Sequence, residues 1–537
     1  MPLEPIAYVD TLPSLQPKVR EPKEITRLLK VSVGGQIGYG FSLRRWLGEQ
    51  HEATNVTRFD DVVNSTWFEH RIDLRGMTPE DVARGPTTIA PDTSRTLTVI
   101  GGKAAGISPG FTVRDANGTT FLFKFDPKGN LHLASAADVI SSRLFYAAGY
   151  YVPEDYIVVL DPSQLVVDPE AEITVDFVER KMTRDDIHRI LSLTDSLPDG
   201  RYLALASKFV PGRPLGPFYF SGARGDDAND YYYHEHRREL RGLYVMSSWL
   251  NHVDMRFANT LDVWIDPPGY VRHYLIDFAA TLGSGTIRPH DPREGSEYNF
   301  DFWPSMARVL TLGFYKHGWE DQEFEVLHPS IGWIPNETFE PGKWRANWPN
   351  GAFNRATAAD GYWGAKLVGA FSDEQIRAAM REGQLPVQEA NEILAEILMS
   401  RRDKIIAYWY AKVTPIERPD TRFPNSEVSE LEVAFDDLGI AAGVWTAGQT
   451  RYSWKFKDVY QGIEAAGEHT ADPGERQSLR IALEGLDKGL PGVDDPEATA
   501  TLRVEVRRDG KPVKREAVIY LRWDGSDSSY RVVGLQH

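Results

Sequence analysis

The stretch Asn251–Gly285, NHVDMRFANTLDVWIDPPGYVRHYLIDFAATLGSG, constrains the fold more than any other part of the chain. The preceding run HEHRRELRGLYVMSSWL sets Leu240, Leu243, Tyr244, Ser247 and Leu250 at helical spacing, so a helix leads into it. A polar loop follows, carrying Asp254, Arg256 and Asn259. TLDVWID and VRHYLIDFA alternate in polarity around Pro267-Pro268-Gly269, which predicts a hairpin. The second strand ends in Asp277-Phe278 and a run of small residues. Helix, loop and hairpin in that order bring Asp254, Asn259 and Asp277 to one end of the hairpin.

Those three side chains have a chemistry in common. Phosphoryl transfer needs a carboxylate beside the acceptor hydroxyl and hard oxygen ligands for magnesium beside the nucleotide phosphates. Asp254 supplies the base, Asn259 one metal ligand and Asp277 the second. An Asp-x4-Asn pair arises by chance about once in a chain of this length. What sets this one apart is its conjunction with a hydrophobic strand that ends in Asp-Phe.

At 537 residues the chain is too long for one core, and about three units are expected. An apolar fraction of 42% and a charged fraction of 26% describe an ordinary globular protein. With 60 basic against 77 acidic residues the net charge is −17, which argues against nucleic acid as a partner. No apolar run is long enough for a membrane span. The first residues lack an apolar signal core, so a cytoplasmic location is the default expectation, although a processed exported form would look the same. Cysteine is absent, which removes disulfides, cysteine-zinc sites and thiol catalysis.

Residues 1–94 read as an N-terminal extension packing on a β-rich lobe. Within it, KVSVGGQIGYGFSLRRWLGEQ reads as a strand and turn, because no Lys-Ser/Thr follows its glycines as a P-loop requires. VVNSTWFEHRI reads as a short helix or strand, and Thr78-Pro79-Glu80-Asp81 as a capped turn. From Arg95 the period becomes two. TLTVI, FTVRD and TTFLFKFD are strands, with GGKAAGISPG a loop between the first pair. Gly101, Gly102 and Gly106 of that loop let backbone N–H groups approach phosphate oxygens, with Lys103 and Ser108 as further donors; an ordinary hairpin loop has the same composition. In FLFKFD, Leu122 and Lys124 share one face while Phe121, Phe123 and Phe125 share the other, so Lys124 either snorkels or serves a buried anion. The helix ASAADVISSRLFYAAG then offers Asp138 as a partner for Lys124, and Gly149 stops it. YLALASKFVPGRPLG is a strand broken at Pro211-Gly212; in a two-lobed kinase it is the hinge, where the backbone from Lys208 to Val210 faces adenine.

Glycine loop, strand lysine, acid-bearing helix, hinge strand, Asp-x4-Asn loop and Asp-Phe strand follow one another over residues 95–285. In that order they resemble the atypical protein-kinase-like superfamily, which includes HipA-type, phosphatidylinositol and CotH-type kinases. SPGFTVRDANGTTFLFKFD with the helix ending AAGYYVPE is similar to the HipA pattern of loop, strand lysine, helix and G-x-x-V-P. NHVDMRFANTLDV resembles the Asp-x4-Asn loop of that branch, and LIDFAATLG its metal-binding strand. The resemblance implies an α+β, two-lobed kinase-like fold with a β-rich N-lobe and a helical C-lobe. It implies ATP and Mg2+ as cofactors, Lys124 on the phosphates, Asp254 as catalytic base, and Asn259 and Asp277 on magnesium. Two departures stand out: the helix acid is Asp138 where the family has Glu, and His252-Val253-Asp254 stands where protein kinases have His-Arg-Asp.

The N-lobe is expected over 95–210 and the C-lobe over 211–414, with an aromatic-rich insert in 286–371. The long helix VQEANEILAEILMSRRDKIIAYWYAKV follows, its Arg401–Lys404 run read as a solvated face. Pro415–Pro424 reads as a linker to a small β-sandwich-like domain over 426–537, which has Arg508-Asp509-Gly510 and Asp524-Gly525 turns. His234-Glu235-His236 has metal-ligand residue types, but positions i and i+2 of one helix point apart. Three functions fit these features: a phosphotransferase with an unassigned acceptor (protein, lipid or small molecule), a pseudokinase scaffold, and a nucleotide-independent metal hydrolase.

Overall fold

The computed structural model describes residues 15–20, 51–103, 108–175, 178–424, 430–492 and 499–537. The strand expected within 30–50 and the loop residue Gly106 lie outside them. The architecture is α+β. A short helix, α1 (Pro79–Arg84), precedes a sheet of seven strands: β1 (Leu97–Gly102), β2 (Gly110–Arg114), β3 (Thr120–Lys124), β4 (Asp155–Leu160), β5 (Leu165–Val175), β6 (Val178–Lys181) and β7 (Tyr202–Lys208). Helices α2 (Leu133–Ala148) and α3 (Arg184–Leu191) interrupt them. The strand order is β4-β7-β3-β2-β1-β5-β6, antiparallel except for the β1–β5 pair.

The two faces of this sheet bury different cores. Phe111, Phe121, Phe123 and Phe125 pack with Ile187, Ile190 and Leu191 of α3 on one side. On the other, Ile157, Leu203 and Leu205 join α2 and the helices that follow in the largest core of the molecule. Alternation within β3 decides the split, because successive side chains leave opposite faces. Lys124 therefore points away from the phenylalanines and toward α2, as its spacing predicts.

Strand β8 (Arg213–Gly216), helix α4 (Arg238–Leu250) and the hairpin β9 (Thr260–Ile265) and β10 (Tyr270–Leu275) come next, with β9 at the centre of a β10-β9-β8 sheet. The hairpin is paired in register from Thr260–Leu275 to Ile265–Tyr270, as expected. His234–His236 form a separate 3-10 turn, and all thirteen residues of α4 are buried. A helix covered on every side is an interior element, whereas an amphipathic one lies on a surface. Helices α5 (Phe302–Leu310), α6 (Ala358–Gly369), α7 (Asp373–Glu382) and α8 (Gln388–Tyr410) complete this part. Among the described residues no helix is long and apolar enough to cross a membrane.

The last part is a pair of facing sheets. β11 (Ile416–Arg422), β12 (Glu430–Asp437), the one-turn α9 (Leu438–Ala441), β13 (Thr450–Asp458), β14 (Ile463–Thr470), β15 (Arg476–Ala482), β16 (Ala500–Arg508), β17 (Lys511–Pro512), β18 (Ala517–Asp524) and β19 (Ser529–Gln536) follow in order. One sheet runs β11-β12-β15 and the other β14-β13-β16-β18-β19, with Leu431, Val433 and Phe435 meeting Phe456, Leu502 and Val504 between them. Pro415–Pro424 is not a linker: β11 occupies it, paired with β12. Pro419 is accommodated because β11 is an edge strand whose register shifts between Glu417 and Asp420.

One further expectation changes. Val62–Ile72 forms no helix or extended strand, only isolated bridge positions at Asn64 and Phe68, the latter paired with Tyr150. Residues 51–94 pack on the β1–β7 part, where Thr88 N–H donates to Glu154 Oε2 and Arg143 Nε to Ala83 O, both at 2.8 Å, and also on the helices and the sandwich. Thr54 N–H donates to His236 O at 2.9 Å, Trp363 Nε1 to Asp61 at 2.6 Å, and Leu535 N–H to Arg58 O at 2.8 Å. Arg238 of α4 lies 2.6 Å from Asp60 and 2.7 Å from Asp360, and His537 Nδ1 lies 3.2 Å from the other oxygen of Asp60. Burial opposes the charge on Asp60, but His537 and Arg238 outweigh it and hold its carboxyl well below the usual range.

Close packing of α4 on α6 depends on glycine. A Cβ at Gly364 would stand 2.7 Å from Gly242 O and 2.9 Å from Val245 Cβ, and one at Gly242 would strike the Trp363 ring. Gly364→Val is expected to lower stability by about 1–3 kcal/mol or more, read as a fall in thermal midpoint, whereas Gly448→Ala, which meets nothing within 4 Å, changes it little. His70 tests the extension through pH. Burial disfavours its charge, but Asp73 at 2.6 Å and the nearby Asp61 prevail and raise its pKa from 6.5 to about 9. Its stabilisation is complete below pH 6.5 and is lost as pH rises through about 9. Over that window stability should fall by an amount on the order of 1–3 kcal/mol, and His70→Gln should flatten this component of the pH profile.

Candidate active site

Lys124 closes β3 and stands opposite Gly110 on one side and Leu205 on the other. Its ammonium lies 2.8 Å from Asp277 Oδ1 and 3.4 Å from Asp138 Oδ2. Asp126 fixes the helix that carries Asp138, accepting from the N–H groups of His132, Ala134 and Ser135 at 2.8–2.9 Å. A turn past Asp138, Ser141 Oγ meets Thr281 Oγ1 at 2.7 Å, which pins α2 to the segment leaving Asp277. Sheet, helix and hairpin thus converge on one ammonium.

The carboxyls around it differ in environment. Asp138 is 1% exposed, and burial raises its pKa despite Lys124. The side chain of Asp277 is 44% exposed; burial of the cluster opposes its charge, but Lys124 prevails and holds its pKa below the ordinary value. Burial works against the charge on Lys124 too, yet Asp277 and Asp138 together hold its pKa well above the usual lysine range. Asp277 adopts φ 63°, a left-handed conformation that Asp and Asn tolerate better than other side chains, immediately after β10.

The loop after α4 is built with equal care. Arg401 of α8 is fully buried; it donates to Trp249 O at 3.0 Å and to Ser248 O, and its guanidinium lies 3.5 Å from the centre of the Phe339 ring. The last carbonyls of α4 thereby gain a cation, where the helix dipole favours one. Arg401 is therefore no part of a solvated face. Asn251 ends α4 at φ 51°, and its Oδ1 accepts from Trp344 Nε1 at 2.9 Å. The chain then sends His252 into the core between Phe145 and Phe278, where burial lowers its pKa to about 4 and keeps it neutral. Asp254 follows, its side chain 26% exposed. Asn259 Nδ2 donates to Asp254 Oδ2 at 3.0 Å and to its carbonyl at 2.9 Å, while Arg256 Nε lies 3.0 Å from Asp254 Oδ1. Burial raises the Asp254 pKa, and the negative charge of Asp277 adds to the shift.

The expected phosphate loop is only partly a loop. Gly101 and Gly102 belong to β1 and pack against Glu172 O and the Ile173 side chain, so they serve the β1–β5 junction. A Cβ at Gly110 would come within 2.3 Å of Phe123 O, so glycine is required where the chain returns beside Lys124. Lys103 Nζ donates to Ser108 O at 3.1 Å; burial, then repulsion from Lys124, lowers its pKa to about 8. At the hinge strand the N–H of Lys208 donates to Glu154 O at 2.9 Å and that of Phe209 to Thr120 O at 3.1 Å. The Lys208 N–H is thus not a free donor. The Lys208 ammonium is held by Glu154 at 2.7 Å.

Magnesium fits the donor set. Asn259 spends its Nδ2 on Asp254 and keeps its Oδ1 as acceptor, and Asp277 has a second carboxylate oxygen beside the one on Lys124. Among the described residues no three His, Asp or Glu side chains form a complete metal cage. Magnesium does not need one, since it commonly takes one or two protein oxygens, phosphate oxygens and water. His234 is committed to Asp230 at 2.7 Å and offers nothing to zinc.

Spacing alone missed Arg256, Arg401 and Asp155. Asp155 opens β4 almost fully buried, and burial with the nearby Asp138 charge raises its pKa well above the carboxylate range. Arg401 carried a usable signal, because Leu394, Leu398, Arg401 and Ile405 fall on one helical stripe. Lys124→Met tests the cluster. With the cation gone, Asp138 and Asp277 face each other uncompensated, so the variant should lose about 3 kcal/mol at pH 8. Its thermal midpoint should recover as the pH falls toward 5 and the pair takes up a proton, a rise absent from the wild type.

No family model matches the chain, and no curated protein matches it. Among solved structures it is similar to a proinflammatory kinase of Helicobacter pylori, CtkA, at 10% identity and a TM-score of 0.33, over 60% of this chain and 98% of that one.

Proposed function

We propose that this chain is an ATP- and magnesium-dependent phosphotransferase with a two-lobed kinase-like arrangement. The β1–β7 sheet with α2 is one lobe, and the helices α4–α8 with the β8–β10 sheet are the other. The observation that carries this is Lys124, a strand lysine whose ammonium joins the helix acid Asp138 to Asp277, the acid at the end of the hairpin. A strand lysine, a helix acid and a metal-binding aspartate in that relation are what kinases use to hold nucleotide phosphates.

Each residue then has a role. Lys124 binds phosphate oxygens, and Asp138 orients it from behind. Lys103 and Ser108 stand at the loop beside it. Asn259 and Asp277 hold magnesium, which when bound neutralises charge shared between the β- and γ-phosphates. Asp254 accepts the proton of the acceptor hydroxyl as that oxygen bonds to the γ-phosphorus and the bond to the bridging oxygen breaks, with ADP leaving. The raised pKa of Asp254 suits a group that must take up a proton. Arg256 must release Oδ1 when the acceptor arrives.

One observation favours a scaffold instead. Asp254 is already paired with Arg256, and Asp277 with Lys124, so the site is electrically satisfied without a ligand. The two readings separate experimentally. Magnesium-ATP should raise the thermal midpoint of the wild type as RT ln(1 + [L]/Kd) requires, and Asp277→Ala should lose the magnesium-dependent part. Asp254→Asn should keep that stabilisation while ATP turnover falls by about 10²–10⁴-fold. Stabilisation by nucleotide with no turnover in either protein would point to a nucleotide-binding scaffold, and no response to nucleotide would end the phosphotransferase reading and favour a scaffold whose site needs no ligand.

A further inference from the structure

We propose that a cavity between residues 52–60 and the outer strands of the sandwich binds a compact organic phosphate monoester. The cavity measures about 360 Å³, at the small end of the range for ligand pockets. Four arginines line it, Arg58, Arg238, Arg515 and Arg522, against two acids, Glu52 and Asp60.

Both acids are already committed. Asp60 pairs with Arg238 at 2.6 Å, and Glu52 with Arg515 at 2.8 Å. Among the described residues no carboxylate pairs with Arg58 or Arg522, and the Nε of Arg522 is buried without a hydrogen-bond partner. Its cross-strand neighbour Arg531 is occupied by Asp524 and Asp527. The wall thus holds two guanidiniums in excess, one of them with an orphaned donor, and burying such a group unpaired is costly. Guanidiniums engage phosphate oxygens through paired N–H donors, so a phosphate dianion would satisfy both.

The remainder of the wall selects against a bare ion. Val56, Val533 and the ring of Tyr520 supply an apolar surface, which suits an ester with a small hydrocarbon or aromatic body. Arg238 opens α4, whose far end delivers Asp254. Thirteen helical residues span about 20 Å, so this site is separate from the cleft.

Isothermal titration in magnesium- and nucleotide-free buffer, with phenyl phosphate and inorganic phosphate as probes, tests it. Phenyl phosphate should bind the wild type with one-to-one stoichiometry and inorganic phosphate several-fold more weakly. Arg522→Gln should weaken phenyl phosphate about tenfold or more. Arg58→Gln, at an exposed position where folding is not at risk, should do the same. Lys124→Met should leave binding unchanged. Absence of binding, indifference to both arginine substitutions, or loss in Lys124→Met would each overturn the proposal; equal affinity for inorganic phosphate would overturn the ester.

Discussion

The structure hangs on one ammonium group. Lys124 is placed by a strand, faced by a helix and met by the end of a hairpin, and each of those elements presents an acid or needs the cation. Without the cation, two carboxylates would share a largely buried space, at a cost comparable to that of a broken buried ion pair. The same cation explains why the environments of Asp138 and Asp277 diverge. The deeper acid loses hydration and is raised, while the nearer and more open one keeps its charge. One shielded acid and one open acid on a single cation follow from that difference in depth.

The supporting shell is polar to an unusual degree. Arg401, Arg238 and Arg241 are all buried; Arg401 ties carbonyls of α4 to α8, while Arg238 and Arg241 tie α4 to Asp360 of α6. Arg401 acts on carbonyls at one end of the helix, and Arg238 on Asp60 and Asp360 at the other. Both ends of the element that leads to Asp254 are thus fixed by guanidiniums, whose several donors can satisfy more than one acceptor at once.

Much of this was legible in the sequence, and for identifiable reasons. The two-residue period of FLFKFD separates Lys124 from its phenylalanine neighbours, and the hairpin around Pro267-Pro268-Gly269 forms as expected, although β10 ends at Leu275, short of Asp277. Local alternation and turn chemistry decide such features, and both are visible in a single chain. The Lys124–Asp138 contact was within reach because the two stand only 14 positions apart, at the end of β3 and near the start of α2. What escaped depends on distant partners. Gly101 and Gly102 looked like loop residues until β5 was found alongside them. The edge position of β11, which excuses Pro419, exists only once β12 pairs with it, and Arg401 looked solvated because the carbonyls it serves lie far away in sequence. The Lys208 N–H looked available for the same reason: Glu154, whose carbonyl takes it, lies just before β4 and far away in sequence.

The complete burial of α4 bears on how the molecule moves. A helix enclosed on all sides and held at both ends cannot roll or slide without breaking close packing around Gly242 and Gly364. Helix α4 and α6 therefore behave as a single rigid unit, and Asp254 inherits its position from that unit rather than from its own loop alone.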